Sequence, residues 1–161
     1  FGVGDSAGAH NLGLYAAVCT NPEYAAKYPF QPPERFVPTA VALNCGVYRA
    51  PVSEDEKDQS NLLMADLLPE RGTKDEYEKI SLVNYVTSQY PPVFLMTATG
   101  DFLREQATLL VEKLMEFEIP FVYRYYGSAE RPLGHVFHCN IRLQEASRCN
   151  DEECEFFRSY C

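Results

Sequence analysis

Three residues whose types cooperate in nucleophilic catalysis occur along the chain in the order serine, aspartate, histidine. Ser6 lies in the segment GDSAG at positions 4–8, which fits the pattern G-x-S-x-G. Asp101 follows an apolar run, and His135 follows the turn segment 127–134. A serine hydroxyl is too weakly acidic to attack unaided, so a histidine must accept its proton. An aspartate can orient that histidine and stabilise its imidazolium form.

The segment around Ser6 is expected to be a sharp turn between a buried strand and a helix. Phe1 and Val3 suit a strand, and the apolar spacing predicts a helix from Ala7 to about Cys19. Glycines two positions before and after the serine are expected to let strand and helix pass closely. The turn would aim the serine hydroxyl out of the sheet. It would also set the N–H of Ala7 beside any oxyanion, which makes Ala7 the candidate oxyanion-hole residue.

Each candidate also has a simpler interpretation. The segment 4–8 fits an ordinary turn without a catalytic role, Asp101 could cap the following helix, and His135 could be a polar loop residue. His138 is a rival for His135, whereas His10 is expected to pack or cap within the first helix. Parallel α/β sheets place their sites at the carboxyl ends of strands. Ser6, Asp101 and His135 all fall at such positions, which favours a single site.

The elements that must position these residues alternate between strands and helices. After the first strand and helix, apolar runs predict strands at 39–48, 91–101 and 121–126, the last near a sheet edge. Helices are predicted at 104–117 and at 140–149, the latter alternatively reaching about 160 in two pieces. The order β-α-β-cap-β-α-β-loop-α predicts the α/β class, with a mostly parallel sheet flanked by helices and right-handed crossovers.

Residues 49–90 are more than a connection between two strands needs, so a cap or lid inserted into the single domain 1–161 is expected. This segment contains an acidic, solvated stretch at 53–58 and a short amphipathic helix candidate at 61–68. A second short helical pattern runs through Ile80, Leu82, Val83 and Tyr85. The apolar residues of the cap would suit acyl chains, or they would simply pack the cap against the body of the domain.

The bulk composition narrows the classes of partner. The chain has 161 residues, enough for one domain with its own core, and a formal net charge of −9. Nucleic acid and anionic membranes both demand basic patches, so neither is expected as a partner. No stretch approaches the roughly 20 apolar residues that a membrane-spanning helix needs.

The six cysteines are expected to be free thiols in a reducing compartment, which predicts a cytoplasmic protein. Cys19 and Cys45 lie in apolar segments and are expected to be buried. Cys149 and Cys154 have neither a second pair nor a flanking histidine to complete a zinc site, so no metal is predicted. A disulfide from Cys149 to Cys154 or Cys161 is the alternative.

Three segments resemble the hormone-sensitive-lipase-like branch of the α/β-hydrolases. GDSAGAH at 4–10 resembles its serine turn, YPP through TATGDFLR at 90–104 resembles its acid segment, and GHVF at 134–137 is similar to its terminal H-x-F segment. The resemblance implies an α/β-hydrolase fold and a serine carboxylesterase without cofactor. Its catalytic residues would be Ser6, Asp101 and His135, with Ala7 in the oxyanion hole. The implied substrates are small-molecule esters, with short acyl chains favoured.

One departure from the family pattern is expected to matter. The family's H-G-G-G segment, which supplies further oxyanion-hole N–H groups, lies upstream of the serine turn, and nothing in this chain matches it. The chain therefore resembles the C-terminal portion of such an enzyme. We expect it to need an N-terminal piece or self-association to cover open sheet edges. The alternative functions are a receptor-like, non-catalytic ligand-binding relative, in which the histidine is typically replaced, and an inactive fragment.

Overall fold

The computed structural model describes residues 1–51 and 58–161, and in that part of the chain one parallel sheet carries the fold. Its strands are β1 (Gly2–Asp5), β2 (Val41–Asn44), β3 (Val93–Ala98) and β4 (Phe121–Tyr126), which lie side by side in that order. Each neighbouring pair is parallel and in register, so the carboxyl ends of the strands meet at one edge of the sheet. The predicted α/β class and parallel sheet are confirmed, and β4 lies at an edge as expected.

Six α-helices connect or flank these strands in the described part of the chain. They are α1 (Ala7–Thr20), α2 (Pro22–Ala25), α3 (Gln59–Leu67), α4 (Lys74–Lys79), α5 (Arg104–Glu116) and α6 (Gln144–Arg158). Single 3₁₀ turns at Leu82–Asn84 and Phe137–Cys139 complete the order.

Several elements differ from the sequence prediction. The short helix α2 forms within the expected loop, because proline occupies its first position and Asn21 Oδ1 accepts the Tyr24 N–H over 3.0 Å. The strand expected at 39–48 stops at Asn44, because Cys45 takes a left-handed φ of 51° that ends the extended backbone. The last helix begins later than predicted and runs unbroken, not in two pieces.

Alternate residues of β2 and β3 enter two separate cores on opposite faces of the sheet, which explains why both strands are continuous apolar runs. The first core is completed by α1, α5 and the 3₁₀ turn at Leu82–Asn84, and the second core by α6 with residues at the end of β4. The β2 and β3 residues of the first core are Val41, Leu43, Val93 and Leu95, and those of the second are Ala42, Phe94, Met96 and Ala98. Helices therefore cover both faces of the sheet.

The segment predicted to be a cap contains two helices, of which one is only loosely covered. Leu62, Leu63 and Leu67 of α3 are all more than half exposed, whereas α4 begins with a capping box between Thr73 and Glu76. Residues 53–57 of the predicted acidic stretch lie outside the described residues. The boundaries 49–90 of the cap stay a prediction.

The six cysteines are free thiols in the structure. Cys45 and Cys149 are buried, Cys19 is half-buried rather than buried, and the remaining three are exposed. Among the helices at 1–51 and 58–161, none combines the length and the apolar character needed to cross a bilayer.

Candidate active site

Ser6 occupies a strained turn at the carboxyl end of β1, directly before α1. Its φ of 53° and ψ of −119° lie outside the regions that non-glycine residues ordinarily adopt. The Ser6 N–H donates to the Asn44 carbonyl over 2.9 Å, and its carbonyl accepts from the His10 N–H over 3.2 Å. Such strain costs on the order of 1–3 kcal/mol and is concentrated at functional sites. The expected strand–turn–helix arrangement is therefore present.

Asn44, whose carbonyl accepts the Ser6 N–H, also forms a side-chain hydrogen bond to the distant helix α6. Asn44 is fully buried at the end of β2, and its Nδ2 donates to Glu153 Oε2 of α6 over 2.7 Å. Burial raises the pKa of Glu153, and the Asn44 bond offsets part of that rise. The position of the turn thus depends on packing between the sheet and α6.

Gly4 and Gly8, two positions before and after Ser6, differ in how closely other atoms approach them. A Cβ at Gly4 would lie 2.5 Å from the Gly8 carbonyl oxygen, a backbone atom that cannot move aside easily. A Cβ at Gly8 would meet nothing within 4 Å among the described residues. The predicted close passage of strand and helix is confirmed at Gly4, and the expectation is wrong for Gly8.

Replacing Gly4 with alanine is expected to destabilise the chain by about 1–3 kcal/mol, because the new methyl group forces strand and helix apart. Gly8→Ala is the matched control and is expected to stabilise α1 by about 0.5–1 kcal/mol, since glycine is unfavourable within a helix. Urea unfolding followed by circular dichroism compares the two midpoints. Equal midpoints for both variants would contradict the assigned role of Gly4.

The three residues predicted to act together form one hydrogen-bonded chain. His135 Nε2 lies 2.8 Å from Ser6 Oγ, and His135 Nδ1 lies 2.8 Å from Asp101 Oδ1. The Asp101 side chain is fully buried, whereas the His135 side chain is 20% exposed and reaches the surface. A backbone bridge between Gly100 and Gly134 brings the two segments together.

Asp101 is held in its ionised form by several donors. Burial raises its pKa, but donors outweigh that effect and hold the pKa below its ordinary value. The Leu103 N–H donates to Oδ1 over 2.9 Å, Thr97 Oγ1 donates to Oδ2 over 2.8 Å, and Cys45 and His135 contribute further bonds. The bond from Leu103 supports the turn before α5, whose N-cap position is Leu103 and carries no side-chain cap hydrogen bond. The interpretation of Asp101 as a helix cap is therefore wrong.

This arrangement fixes which way protons can move. An ionised Asp101 accepts only, so the bond to His135 Nδ1 requires a proton on that nitrogen. The other ring nitrogen, Nε2, is then a free acceptor that faces the Ser6 hydroxyl. The geometry can carry a proton from Ser6 Oγ to His135 while the buried carboxylate stabilises the resulting imidazolium.

Ala7 is the first residue of α1, and it is exposed. A residue at that position has no acceptor for its N–H within the helix, and the helix dipole places partial positive charge there. The assignment of Ala7 to an oxyanion hole stays a prediction.

Neither of the other two histidines joins this chain of hydrogen bonds. His138 is buried, and its Nδ1 has no hydrogen-bond partner in the described chain. Burial lowers the pKa of His138, and the nearby Asp5 charge raises it in part. His10 Nε2 lies 2.7 Å from the Ile80 carbonyl, so this residue ties α1 to the segment after α4. The choice of His135 over His138 agrees with this geometry.

Four residues near the site were missed by sequence reasoning. Thr97 and Cys45 contact the Asp101 carboxylate, Asn44 holds the Ser6 N–H, and the Phe102 ring lies 4.5 Å from the His135 ring between centroids. Thr97 could have been found, because it precedes Asp101 by four residues at the end of a strand. Phe102 is 76% exposed, and no pattern in the sequence marks it.

The fold is shared with solved structures of esterases. Esterase B from Lactobacillus rhamnosis matches with a TM-score of 0.81 and 22% identity, over 98% of this chain and 51% of that one. The Pyrobaculum calidifontis esterase matches with a TM-score of 0.66 and 20% identity, over 98% of this chain and 51% of that one. An acetyl ester-xyloside bifunctional hydrolase from Caldicellulosiruptor lactoaceticus matches with a TM-score of 0.63 and 20% identity, over 98% of this chain and 55% of that one. No protein-family model and no curated protein matches the chain.

These likenesses show that the chain has the α/β-hydrolase fold, as the sequence resemblance implied. The chain spans about half the length of the solved structures that it matches. At this level of identity the likeness concerns the fold, and the chemistry must be argued from the site itself.

Proposed function

We propose that this chain carries the acyl-transfer centre of a serine carboxylesterase of the hormone-sensitive-lipase-like kind. The observation that supports it best is the hydrogen-bonded order Ser6–His135–Asp101 on the strained turn and strand ends of an α/β-hydrolase fold. Serine, histidine and aspartate also follow the chain order of that fold. The esterase neighbours support ester hydrolysis at the level of class.

In the proposed reaction, Ser6 Oγ attacks the ester carbonyl while His135 Nε2 takes its proton. The imidazolium then returns the proton to the departing alkoxide, leaving an acyl group on Ser6. Water, deprotonated by His135, releases the acid and restores the serine. Asp101 orients His135, and the Ala7 N–H stabilises the oxyanion of each tetrahedral intermediate. The reaction needs no metal and no cofactor.

We propose short-chain carboxylic esters as substrates. One solved structure of similar fold is that of a hydrolase named for its action on an acetyl ester, the acetyl ester-xyloside bifunctional hydrolase. In this chain the exposed Phe102 ring stands against His135 and offers an apolar wall beside the reacting atoms. We further propose a cytoplasmic location, because free thiols at all six cysteines are typical of a reducing compartment.

We also propose that the open edge of β1 needs a covering strand, either from an N-terminal half or from a second copy. In the described sheet β1 pairs only with β2, and the neighbouring Phe1 and Val3 side chains are each 58% exposed. Unpaired edges with exposed apolar side chains promote association. Such a strand would stand directly beside Ser6, where further oxyanion donors are required.

A panel of p-nitrophenyl esters tests the proposed function. We expect kcat/KM for the acetate and butyrate to exceed that for the decanoate by at least about tenfold, since a mismatched pocket costs about 1–3 kcal/mol per methylene. The matched amide, p-nitroacetanilide, is the control and should turn over far more slowly. Sedimentation of the same sample reports its association state.

Hydrolysis of the amide as fast as the ester would contradict a carboxylesterase. A folded sample that binds esters without releasing p-nitrophenol would favour the ligand-binding alternative. The same assay with an N-terminal half supplied would then decide whether the failure lies in an incomplete oxyanion hole.

A further inference from the structure

A second cluster of reactive side chains lies beside the Ser6 turn and takes no part in the hydrogen-bonded chain. Asp5, His138 and Cys139 each offer one ligand atom, and these atoms all lie within 4.8 Å of one another. Asp5 ends β1, whereas the other two belong to the 3₁₀ turn that follows His135. Residues so distant in the chain cannot be recognised as one site from their spacing.

Two of the three ligand atoms are separated by a distance that suits a tetrahedral metal site. His138 Nε2 and Cys139 Sγ form a hydrogen bond of 3.7 Å. Zinc bonds of about 2.3 Å to sulfur and 2.0–2.1 Å to nitrogen, set at a tetrahedral angle, require a separation of about 3.6 Å. An ion that replaces this hydrogen bond would leave the two atoms at nearly their present separation.

The same three groups are free to bind a metal. Within residues 1–51 and 58–161, the Asp5 carboxylate makes no hydrogen bond or ion pair, and Asp5 and Cys139 are exposed to solvent. His138 is buried, and Asn150 Nδ2 donates to its backbone carbonyl over 3.2 Å, which anchors the backbone at this position. The site is thus buried at His138 and open to solvent at Asp5 and Cys139.

We propose that Asp5, His138 and Cys139 bind a zinc ion, with water as the fourth ligand. A thiolate, an imidazole and a carboxylate form a donor set that suits zinc, whereas magnesium and calcium prefer oxygen ligands alone. The open fourth position follows from the exposure of Asp5 and Cys139. This proposal is independent of the proposed esterase function.

Bound zinc would link the two segments that carry the reacting groups. Asp5 directly precedes Ser6, and the 3₁₀ turn directly follows the segment of His135. A ligand that binds only the folded chain shifts the unfolding equilibrium towards that state. Zinc is therefore expected to stabilise the relative position of Ser6 and His135.

A rival cluster formed by Cys45, Asp101 and His135 also has its ligand atoms within 4.8 Å of one another. There the carboxylate and both ring nitrogens of the histidine are already used in the bonds to Thr97, Leu103 and Ser6. Cys45 is also buried, whereas the Cys139 thiol of the proposed site is exposed to solvent. This cluster gives no comparable site.

Cobalt(II) substitution tests the proposed site directly. We expect the chain with one equivalent of Co²⁺ to show the intense visible bands of a tetrahedral ion and a near-ultraviolet thiolate-to-cobalt band. Cys139→Ser should lose the thiolate band and weaken zinc binding by more than about 100-fold, since even outer partners of metal ligands are worth 10–100-fold. Cys154→Ser is the matched control, because Cys154 is exposed on α6 and outside the cluster, and it should behave as the wild type.

Two further measurements keep the outcome clear. Zinc should raise the thermal unfolding midpoint of the wild type and of Cys154→Ser, and leave that of Cys139→Ser unchanged. Asp5→Asn should keep the thiolate band but lower the zinc affinity. A thiolate band that survives in Cys139→Ser, or a folded wild type with only octahedral cobalt, would overturn the proposal. Because these readouts involve no ester, their failure leaves the proposed hydrolase function untouched.

Discussion

Replacement of Ser6 by alanine is expected to lower kcat for p-nitrophenyl acetate by about 10⁶-fold, the scale seen when a catalytic serine is removed from a serine hydrolase. The loss follows from the geometry, because Ser6 Oγ is the group placed 2.8 Å from the His135 acceptor nitrogen. Alanine suits the strained φ of 53° no worse than serine does, so the turn itself should persist.

Intact mass after incubation with a fluorophosphonate gives a second readout of the same substitution. The wild type should gain one adduct, because only an activated serine reacts quickly with such a reagent, and Ser6→Ala should gain none. Ser147→Ala is the control, since Ser147 is exposed on α6 away from the hydrogen-bonded chain. An adduct of unchanged yield on Ser6→Ala would assign the nucleophile to another residue. A folded wild type without any adduct would show that Ser6 is not activated in this chain.

Replacement of Asp101 by alanine is expected to lower kcat by about 10⁴-fold, the scale found when the aspartate of a serine protease is removed. Alanine removes the only acidic partner of His135 in the described chain and leaves the imidazolium without its counter-charge. It also leaves the donors Thr97 Oγ1 and the Leu103 N–H without their buried acceptor. The unfolding midpoint should therefore fall together with the rate.

The Asn variant at the same position separates orientation from charge. Asp101 Oδ1 accepts from both His135 and Leu103, and Oδ2 accepts from Thr97. An asparagine can keep its oxygen on the first pair and donate its amide to the threonine hydroxyl, so the histidine tautomer is preserved. We therefore expect Asp101→Asn to lower kcat clearly less than Asp101→Ala does.

Steady-state kinetics on both variants, with Asp151→Asn as an exposed control, measure this difference. Equal losses in the asparagine and alanine variants would show that the negative charge matters and that orientation does not. A control that also loses activity would point to a general effect of net charge.

The sequence alone determined the order of elements and the three residues that meet. Short continuous apolar runs bounded by turn signals favour strands that are buried on both faces, and their alternation with helical patterns indicated the parallel α/β class. In a parallel sheet the carboxyl ends of strands share one edge, which placed Ser6, Asp101 and His135 together before any distance was known. The local pattern G-x-S-x-G fixed the turn, because its chemistry lies within five consecutive residues.

Only the tertiary structure decided which groups surround those three residues. The donors to Asp101, the Asn44 carbonyl that holds Ser6, and the Phe102 ring on His135 come from different elements. Their approach depends on strand register and helix packing, which local pattern does not encode. The same holds for Asp5 and His138, whose ligand atoms meet because β1 ends where the turn after His135 passes. Local secondary structure can be predicted from residue spacing, whereas contacts between distant segments depend on how the sheet and all the helices pack together.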